Sequence, residues 1–316
     1  MTLIDRYGRP LLKLRIVVNS VCNFSCIFCH FEGQAKLIPE LSPGDIGFVV
    51  DVAMKIGISD FKITGGEPLL RRDILDIVKE ISSRRPNDIS LTTNGYNLKD
   101  LASDLRNSGL SRLNVSLHSL RPDRYKYITG VNGFENVING LMEAKNYFNK
   151  IKLNVVLLNG INTDEINDII DFAVTNEFNL QFIELMPVGD GSHIFGKYYY
   201  DINNVLPLLE KRGRFIGNRA DLHNRPLFMV DGIKVELIKN YKNPTFCAGC
   251  TTMRLTSNGG LKTCLYREPI MNLWNIIKNR DLDSLINAFK QANMMREPNF
   301  KSVEPSNIKI RLTSST

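Results

Sequence analysis

Cys22, Cys26 and Cys29, in the run CNFSCIFC, bring three thiols into a span of eight residues. That spacing suits three thiolates on one small inorganic cluster. A cubane iron–sulfur cluster has four irons and takes four ligands, usually cysteine sulfurs. Three protein ligands leave one iron open, and an open coordination position belongs to a reactive metal centre rather than a structural one. A zinc knuckle or a set of unrelated buried thiols is the alternative. No fourth ligand at zinc spacing completes the set, and His30 is adjacent to Cys29, badly placed to chelate with it. The other three cysteines form a second triad: Cys247 and Cys250 as CxxC, then Cys264 fourteen residues on. An Asn-Gly hairpin between them predicts strands that run out and back, returning Cys264 beside Cys250. A zinc ribbon would supply a second CxxC, and none follows. The triad reads as a second iron–sulfur site, with zinc or free thiols as alternatives.

The elements that position these residues are read from periodicity. Strands are expected at Leu14–Val18, Asp60–Thr64, Ile89–Thr93, Arg112–Leu117, Lys152–Leu157 and Leu180–Leu185, each short and rich in Val, Ile and Leu. Helices are expected at Pro43–Ile56, Asp73–Ser82, Leu98–Asn107, Glu135–Phe148, Asp164–Thr175 and Asn203–Glu210. Ser42 with Asp45, and Asn162 with Asp164 and Glu165, look like helix starts; Gly57 and Gly109 look like helix ends. Six β–α units predict a parallel sheet, with an open Rossmann arrangement as the alternative. The unusual residues follow successive strands: the cysteine loop, then Gly65-Gly66-Glu67-Pro68, Asn94-Gly95, Ser116 with His118, and Glu184 with Met186. Barrel active sites gather at the C-terminal ends of strands, so the fold class expected is α/β, an incomplete (β/α)6 TIM-type barrel. After about Phe215 the composition turns to hairpins, around Asp231-Gly232 and Asn258-Gly259. This predicts a barrel domain over 1–214 and a small hairpin-rich C-terminal domain over 215–316 carrying the second cluster. The tail after Arg296 is expected to be extended.

Length and charge narrow the partners. A chain of 316 residues holds one large domain and an appendage. A net charge of +7 permits an anionic ligand such as a nucleotide, and no dense Lys/Arg run suggests a nucleic-acid groove. Met1 to Val18 lacks a cationic start with an apolar core, and no stretch approaches 18 apolar residues. The expectation is a cytoplasmic chain with no membrane span and no nucleic-acid partner. In such a chain, metal ligation accounts for the six cysteines better than disulfides.

CxxxCxxC resembles the signature of the radical S-adenosylmethionine (SAM) enzymes. The two triads together resemble one branch, the GTP 3',8-cyclase family of molybdenum cofactor biosynthesis. The likeness covers nearly the whole chain: Asp5 to Arg9, Leu14-Arg15-Ile16, TGGEPLLRRD from Thr64, TTNG from Thr92, VSLHSL from Val115, KLNVV from Lys152, FIELMPVG from Phe182 and FCAGC from Phe246. It implies two [4Fe-4S] clusters, on Cys22, Cys26 and Cys29 and on Cys247, Cys250 and Cys264. It implies SAM contacts at Phe28, Gly65, Gly66, Glu67, Ser116 and Met186. Gly65 and Gly66, lacking Cβ, would let the chain approach a ligand closely. It implies GTP contacts at Arg15, Lys62, Thr92, Lys152, Thr252, Met253 and Arg254. The implied reaction takes a ribose 3' hydrogen with a 5'-deoxyadenosyl radical and joins C3' to guanine C8, giving 3',8-cyclo-7,8-dihydroGTP, with the second cluster's open iron holding the guanine. An external one-electron donor and a monomer or homodimer complete the expectation. Glu184 is expected to be a structural partner for a barrel cation. The chain departs from the family pattern at Asp60, Gln181 and Thr252, where basic residues are usual, and lacks a C-terminal Gly-Gly. A radical SAM enzyme acting on a peptide or another nucleotide, and a non-catalytic zinc-binding protein, are the rival readings.

Overall fold

In the computed structural model, which describes residues 2–33, 39–220 and 222–299, six parallel strands form the centre of one twelve-stranded sheet. They are β1 (Lys13–Val17), β2 (Asp60–Thr64), β3 (Asp88–Thr93), β4 (Arg112–Ser116), β5 (Ile151–Leu157) and β6 (Asn179–Glu184), each hydrogen-bonded to the next. Between them run α1 (Pro43–Lys55), α2 (Ile74–Ser82), α3 (Leu98–Asn107), α4 (Pro122–Thr129), α5 (Phe134–Ala144) and α6 (Ile166–Thr175). The order β1 to β6 without a switch point is that of a partial barrel, not of a Rossmann sheet.

Local chemistry explains most boundaries. Ser42 Oγ accepts the Asp45 N–H while Asp45 returns a bond to the Ser42 N–H, with Pro43 in the first turn. Gly109 closes α3 at φ +102°, where a Cβ would also lie 2.5 Å from Ser82. The expected start at Asn162 differs. Its amide donates to the carbonyls of His118 (2.7 Å) and Val156 (2.8 Å), so it ties strand ends together instead of capping. A 3-10 turn, Thr163–Glu165, then leads into α6. The helix α4 was not expected; it starts at Pro122 and ends at Gly130 with φ +74°.

Beyond β6 come α7 (Gly191–Tyr198), α8 (Leu206–Arg212), β7 (Gly213–Arg219), β8 (Arg225–Val230), β9 (Ile233–Ile238), α9 (Pro244–Ala248), β10 (Thr252–Leu255), β11 (Gly260–Lys262), β12 (Met271–Asn272), α10 (Trp274–Lys278) and α11 (Leu282–Met294). Both expected hairpins form, β8–β9 and β10–β11. They extend the two edges of the barrel sheet: β9 pairs parallel with β6, and β10 parallel with β1. The cup is thereby lengthened on both sides by residues after 215. The residues from 300 onward, including Thr313–Thr316, lie outside the described residues.

Strand alternation splits the sheet into two faces. Leu14, Phe61, Leu91, Leu113, Leu153 and Phe182 are buried under the helices in the main core. The opposite, concave face carries Arg15, Lys62, Thr92, Asn114, Asn154 and Gln181, joined strand to strand by register. No helix among the described residues is long and apolar enough to cross a membrane.

Candidate active site

The first triad lies in the loop that leaves β1 and is held by three neighbouring loops. A Cβ on Gly65 would sit 2.1 Å from Asn19 Oδ1, and one on Gly66 2.2 Å from the Val21 carbonyl. Gly130 and Gly189 are as tightly placed, against Ser25 and the Cys29 carbonyl. The expected glycine pair thus serves an approach of protein to protein: it seats the cysteine loop. Cys22 is exposed, Cys26 and Cys29 are half-buried, and all three are free thiols. Burial and mutual repulsion push Cys29 up to about 12 and Cys26 higher still. Such thiols stay protonated until a cation neutralises them, which is the behaviour of metal ligands in waiting. Backbone N–H groups of Phe24 and Phe31 point at Cys22 Sγ and Cys29 Sγ, both at 3.4 Å. Three thiols in one loop, one per metal atom, are the donor set of a cluster with an open iron.

Around this loop stand the residues expected to meet SAM. Phe28 lies edge-on to His118, with ring centres 4.7 Å apart, beside the apolar patch of Ile128, Val156 and Leu158. Burial lowers His118 to about 3, and its Nδ1 accepts the Val156 N–H at 3.2 Å, so the ring is neutral. The Glu67 carboxylate is turned into the protein. It accepts from Thr93 Oγ1 (2.6 Å), the Asn94 N–H (2.6 Å) and the Leu69 N–H (3.0 Å), and burial raises it to about 7. Glu67 therefore fastens the β2 and β3 loops to each other. Ser116 stands on the concave face in register with Asn154, and Met186 follows β6, its carbonyl packed on Gly191. Glu184 does not pair with a barrel cation: it accepts from the Tyr199 hydroxyl (2.7 Å) and the Tyr241 N–H (3.0 Å), because both its oxygens are taken by the segments after β6 and β9.

The concave floor is a cluster of cations arranged by two buried carboxylates that sequence reasoning missed. Arg15, in register with both Lys62 and Arg254, donates to Glu32 Oε1; Arg254 donates to Glu32 Oε2, each at 2.8 Å. Burial raises the Glu32 carboxyl, but Arg15 and Arg254 outweigh it and hold the group well below the usual range. Lys152 donates to Glu236 Oε1 at 2.6 Å, and Arg219 reaches the same oxygen at 2.9 Å. Lys62 has no ion pair among the described residues; burial, then Arg15 and its other cationic neighbours, push its amine well below the usual lysine value. Lys262, in register with Arg254, is 1% exposed and lowered to about 8, first by burial and then by Arg254. Among the described residues, five buried polar atoms on this floor have no hydrogen-bond partner: Arg15 Nε, Thr92 Oγ1, Asn154 Oδ1, Arg225 Nε and Glu236 Oε2. Buried polar atoms are rarely left so, and the three that can donate, on Arg15, Thr92 and Arg225, fit a polar anionic ligand.

Thr252 shares the floor's face, in register with Lys13, whereas Met253 is fully buried on the helix side opposite Leu14. The Met253 side chain is therefore outside the cup, since consecutive strand residues point to opposite faces. Asp60 pairs with Lys13 at 3.4 Å, and Gln181 lies between Asn154 and Glu236. The second triad closes the cup from the β10 side. Cys250 lies near enough to Cys264 for its charge to raise that thiol further, after burial, and both thiols act on Arg254. The only sequence signal for Glu32 was its offset of three from Cys29; Glu236 and Arg225 sit in a hairpin whose place at the β6 edge is a tertiary fact.

Known proteins agree with this arrangement. Residues 16–173 match the Radical SAM superfamily, and residues 178–302 match Molybdenum Cofactor Synthesis C. A Pyrobaculum aerophilum protein named "Probable GTP 3',8-cyclase" is 48% identical over 95% of this chain and 98% of its own length. A Thermococcus kodakarensis protein of the same name is 43% identical over 95% of this chain and 100% of its own. Among solved structures, Streptococcus suis SuiB bound to S-adenosylmethionine superposes with a TM-score of 0.68, covering 90% of this chain and 69% of that one. At 18% identity that likeness speaks to the fold alone. With relatives of that name 43–48% identical over 95% of its length and both family models matched, the chain belongs to the GTP 3',8-cyclase family of the radical SAM superfamily.

Proposed function

We propose that this chain converts GTP to 3',8-cyclo-7,8-dihydroGTP, the opening step of molybdenum cofactor synthesis, as a lyase working in the cytoplasm. The observation that carries this is the cup itself: cations from β1, β2, β5 and β10 on one floor, with a thiol triad at each side. Cys22, Cys26 and Cys29 would hold a [4Fe-4S] cluster, which with SAM would supply the radical chemistry that takes a hydrogen from the ribose. Cys247, Cys250 and Cys264 would hold a second cluster. Arg15, Lys62, Lys152 and Arg254, which share one face of the sheet, bind the triphosphate. Phe28 and the apolar patch beside it shield one flank from water. A one-electron donor from outside the chain is required, and the enzyme acts as a monomer or homodimer. The test is anaerobic incubation of reduced, reconstituted protein with SAM and each nucleoside triphosphate in turn. The expected result is 5'-deoxyadenosine with a GTP isomer, equal in mass and shifted in retention, from GTP alone. Turnover of another triphosphate in preference to GTP overturns the substrate.

A further inference from the structure

We propose that Arg225 is a further substrate-phosphate ligand, carried into the cup by the β7–β8 hairpin and steadied there by Glu236. This rests on the reading of the chain as a nucleoside triphosphate enzyme. Register fixes its place. Glu236 on β9 is opposite Gln181 on β6 and opposite Leu227 on β8. Because β8 runs antiparallel, Arg225 lies two residues beyond Leu227, toward the C-terminal ends of the barrel strands, where ligands of this fold bind. It is paired across the hairpin with Arg219.

The surroundings of Arg225 suit a phosphate better than a structural ion pair. Its side chain is 11% exposed, and its Nη1 is 3.6 Å from Glu236 Oε2, an ion pair longer than a hydrogen bond. Among the described residues its buried Nε has no hydrogen-bond partner. Its guanidinium carbon lies 5.9 Å from the centre of the Phe246 ring, the residue before Cys247, so one side is packed and the donor edge is left over. Glu236 meanwhile already receives Lys152 and Arg219 on its other oxygen. One carboxylate shared by three cations, of which Lys152 and Arg225 are largely buried and Arg219 is a third exposed, leaves excess positive charge beside Arg225, which is costly unless an anion enters. Arginine presents parallel N–H donors that match a phosphate edge. Arg15 and Lys62 are register neighbours on the same face of the sheet, and the charge of Arg225 acts on this pair as well.

Calorimetry on reconstituted, SAM-loaded protein tests this with GTP, guanosine and inorganic tripolyphosphate as separate probes. Arg225→Gln should weaken GTP and tripolyphosphate by about tenfold or more, the size of a lost charge-assisted contact. Guanosine affinity should stay within about twofold, and iron and sulfide content should not change. Arg225→Lys keeps the charge and the Glu236 pair but loses the fork, and should cost about threefold for tripolyphosphate. Unchanged tripolyphosphate affinity in either variant overturns the proposal. Equal losses for guanosine and tripolyphosphate overturn it too, because they would mean that Arg225 only packs the hairpin. If the unaltered protein prefers no guanine nucleotide, the GTP reading falls, while the tripolyphosphate comparison still decides Arg225.

Discussion

Arg15 and Arg254 come from distant parts of the chain and meet at one carboxylate, Glu32, three residues past Cys29. Glu32 is 7% exposed and sits in a left-handed turn at φ +50°. Replacing it by glutamine strands two arginines side by side in a poorly hydrated floor. Glu32→Gln should lower stability at pH 7 by about 3–5 kcal/mol, read from chemical denaturation, the cost of breaking a buried pair by removing one partner. Its folded pKa is depressed from an ordinary 4.5, so its contribution is present above that value and is lost as pH falls through the folded one. The variant should accordingly show a flatter acid limb, and a variant as stable as the parent at pH 7 would count against the bridge. Lys152 makes a second residue-level prediction. Burial draws it down to about 8, helped by Arg225 and Arg112 and opposed by Glu236. A bound phosphate favours the charged amine, so triphosphate affinity should be highest below pH 8. It should fall above that by up to about tenfold per pH unit. Lys262, lowered to about 8 on the same floor, titrates in the same range, so Lys152→Met should flatten this slope and the double variant with Lys262→Met should remove it; a slope unchanged in Lys152→Met would place the titrating group elsewhere.

At the level of elements, the sheet order was readable because each barrel strand is a short apolar run followed by an amphipathic helix. The two hairpins were readable from Asp-Gly and Asn-Gly. Their destination was not. Whether β9 pairs with β6, and β10 with β1, depends on which sheet edges need covering, and no local pattern in Ile233–Ile238 or Thr252–Leu255 records that. Cysteine spacing gave the two thiol sets, but the glycines beside them were legible only as freedom to approach something. The structure supplies what is approached: at Gly66, the carbonyl of Val21 in the cysteine loop. A methyl group there has 2.2 Å to the Val21 oxygen, well inside contact distance, and backbone cannot swing away as a side chain can. Gly66→Ala should therefore displace the first loop and leave the second alone. Iron and sulfide after anaerobic reconstitution should drop from about eight to about four each per chain, with SAM cleavage lost. Full iron loading with normal 5'-deoxyadenosine formation would show that the loop has slack.

Across the whole molecule, the second triad is held by residues from the N-terminal turn and from the segment just after α11. Asp5 is buried and its carboxylate collects four donors: the N–H groups of Tyr7 and Arg9 (both 2.9 Å), Arg9 Nε (2.7 Å) and Arg296 Nη1 (3.1 Å). The two arginines so oriented reach on to the triad. Arg9 Nη1 donates to the Cys247 carbonyl at 3.0 Å, and Arg296 Nη2 donates to the Cys250 carbonyl. A turn of five residues near the N-terminus and the residue just past α11 thus grip the CxxC backbone between them. The sequence marked Asp5 to Arg9 only as a likeness to a family; its mechanical role needed Arg296, almost three hundred residues away, to be brought beside it. With arginines on both sides and side-chain exposure of 0%, Asp5 is a buried charge whose removal is severe. Asp5→Asn keeps the shape and two of the acceptor positions but drops the charge that aims both guanidinium groups. Among the described residues, no hydrogen bond or ion pair shown for Asp5, Arg9 or Arg296 reaches the first triad. The variant should therefore hold about four irons instead of about eight, keep SAM cleavage, and lose cyclised product. Iron analysis with paired assays for 5'-deoxyadenosine and for the GTP isomer separates the outcomes. Loss of both products would mean that the clamp supports the entire fold, and eight irons with normal product would mean that the CxxC loop holds its cluster without help from the chain ends.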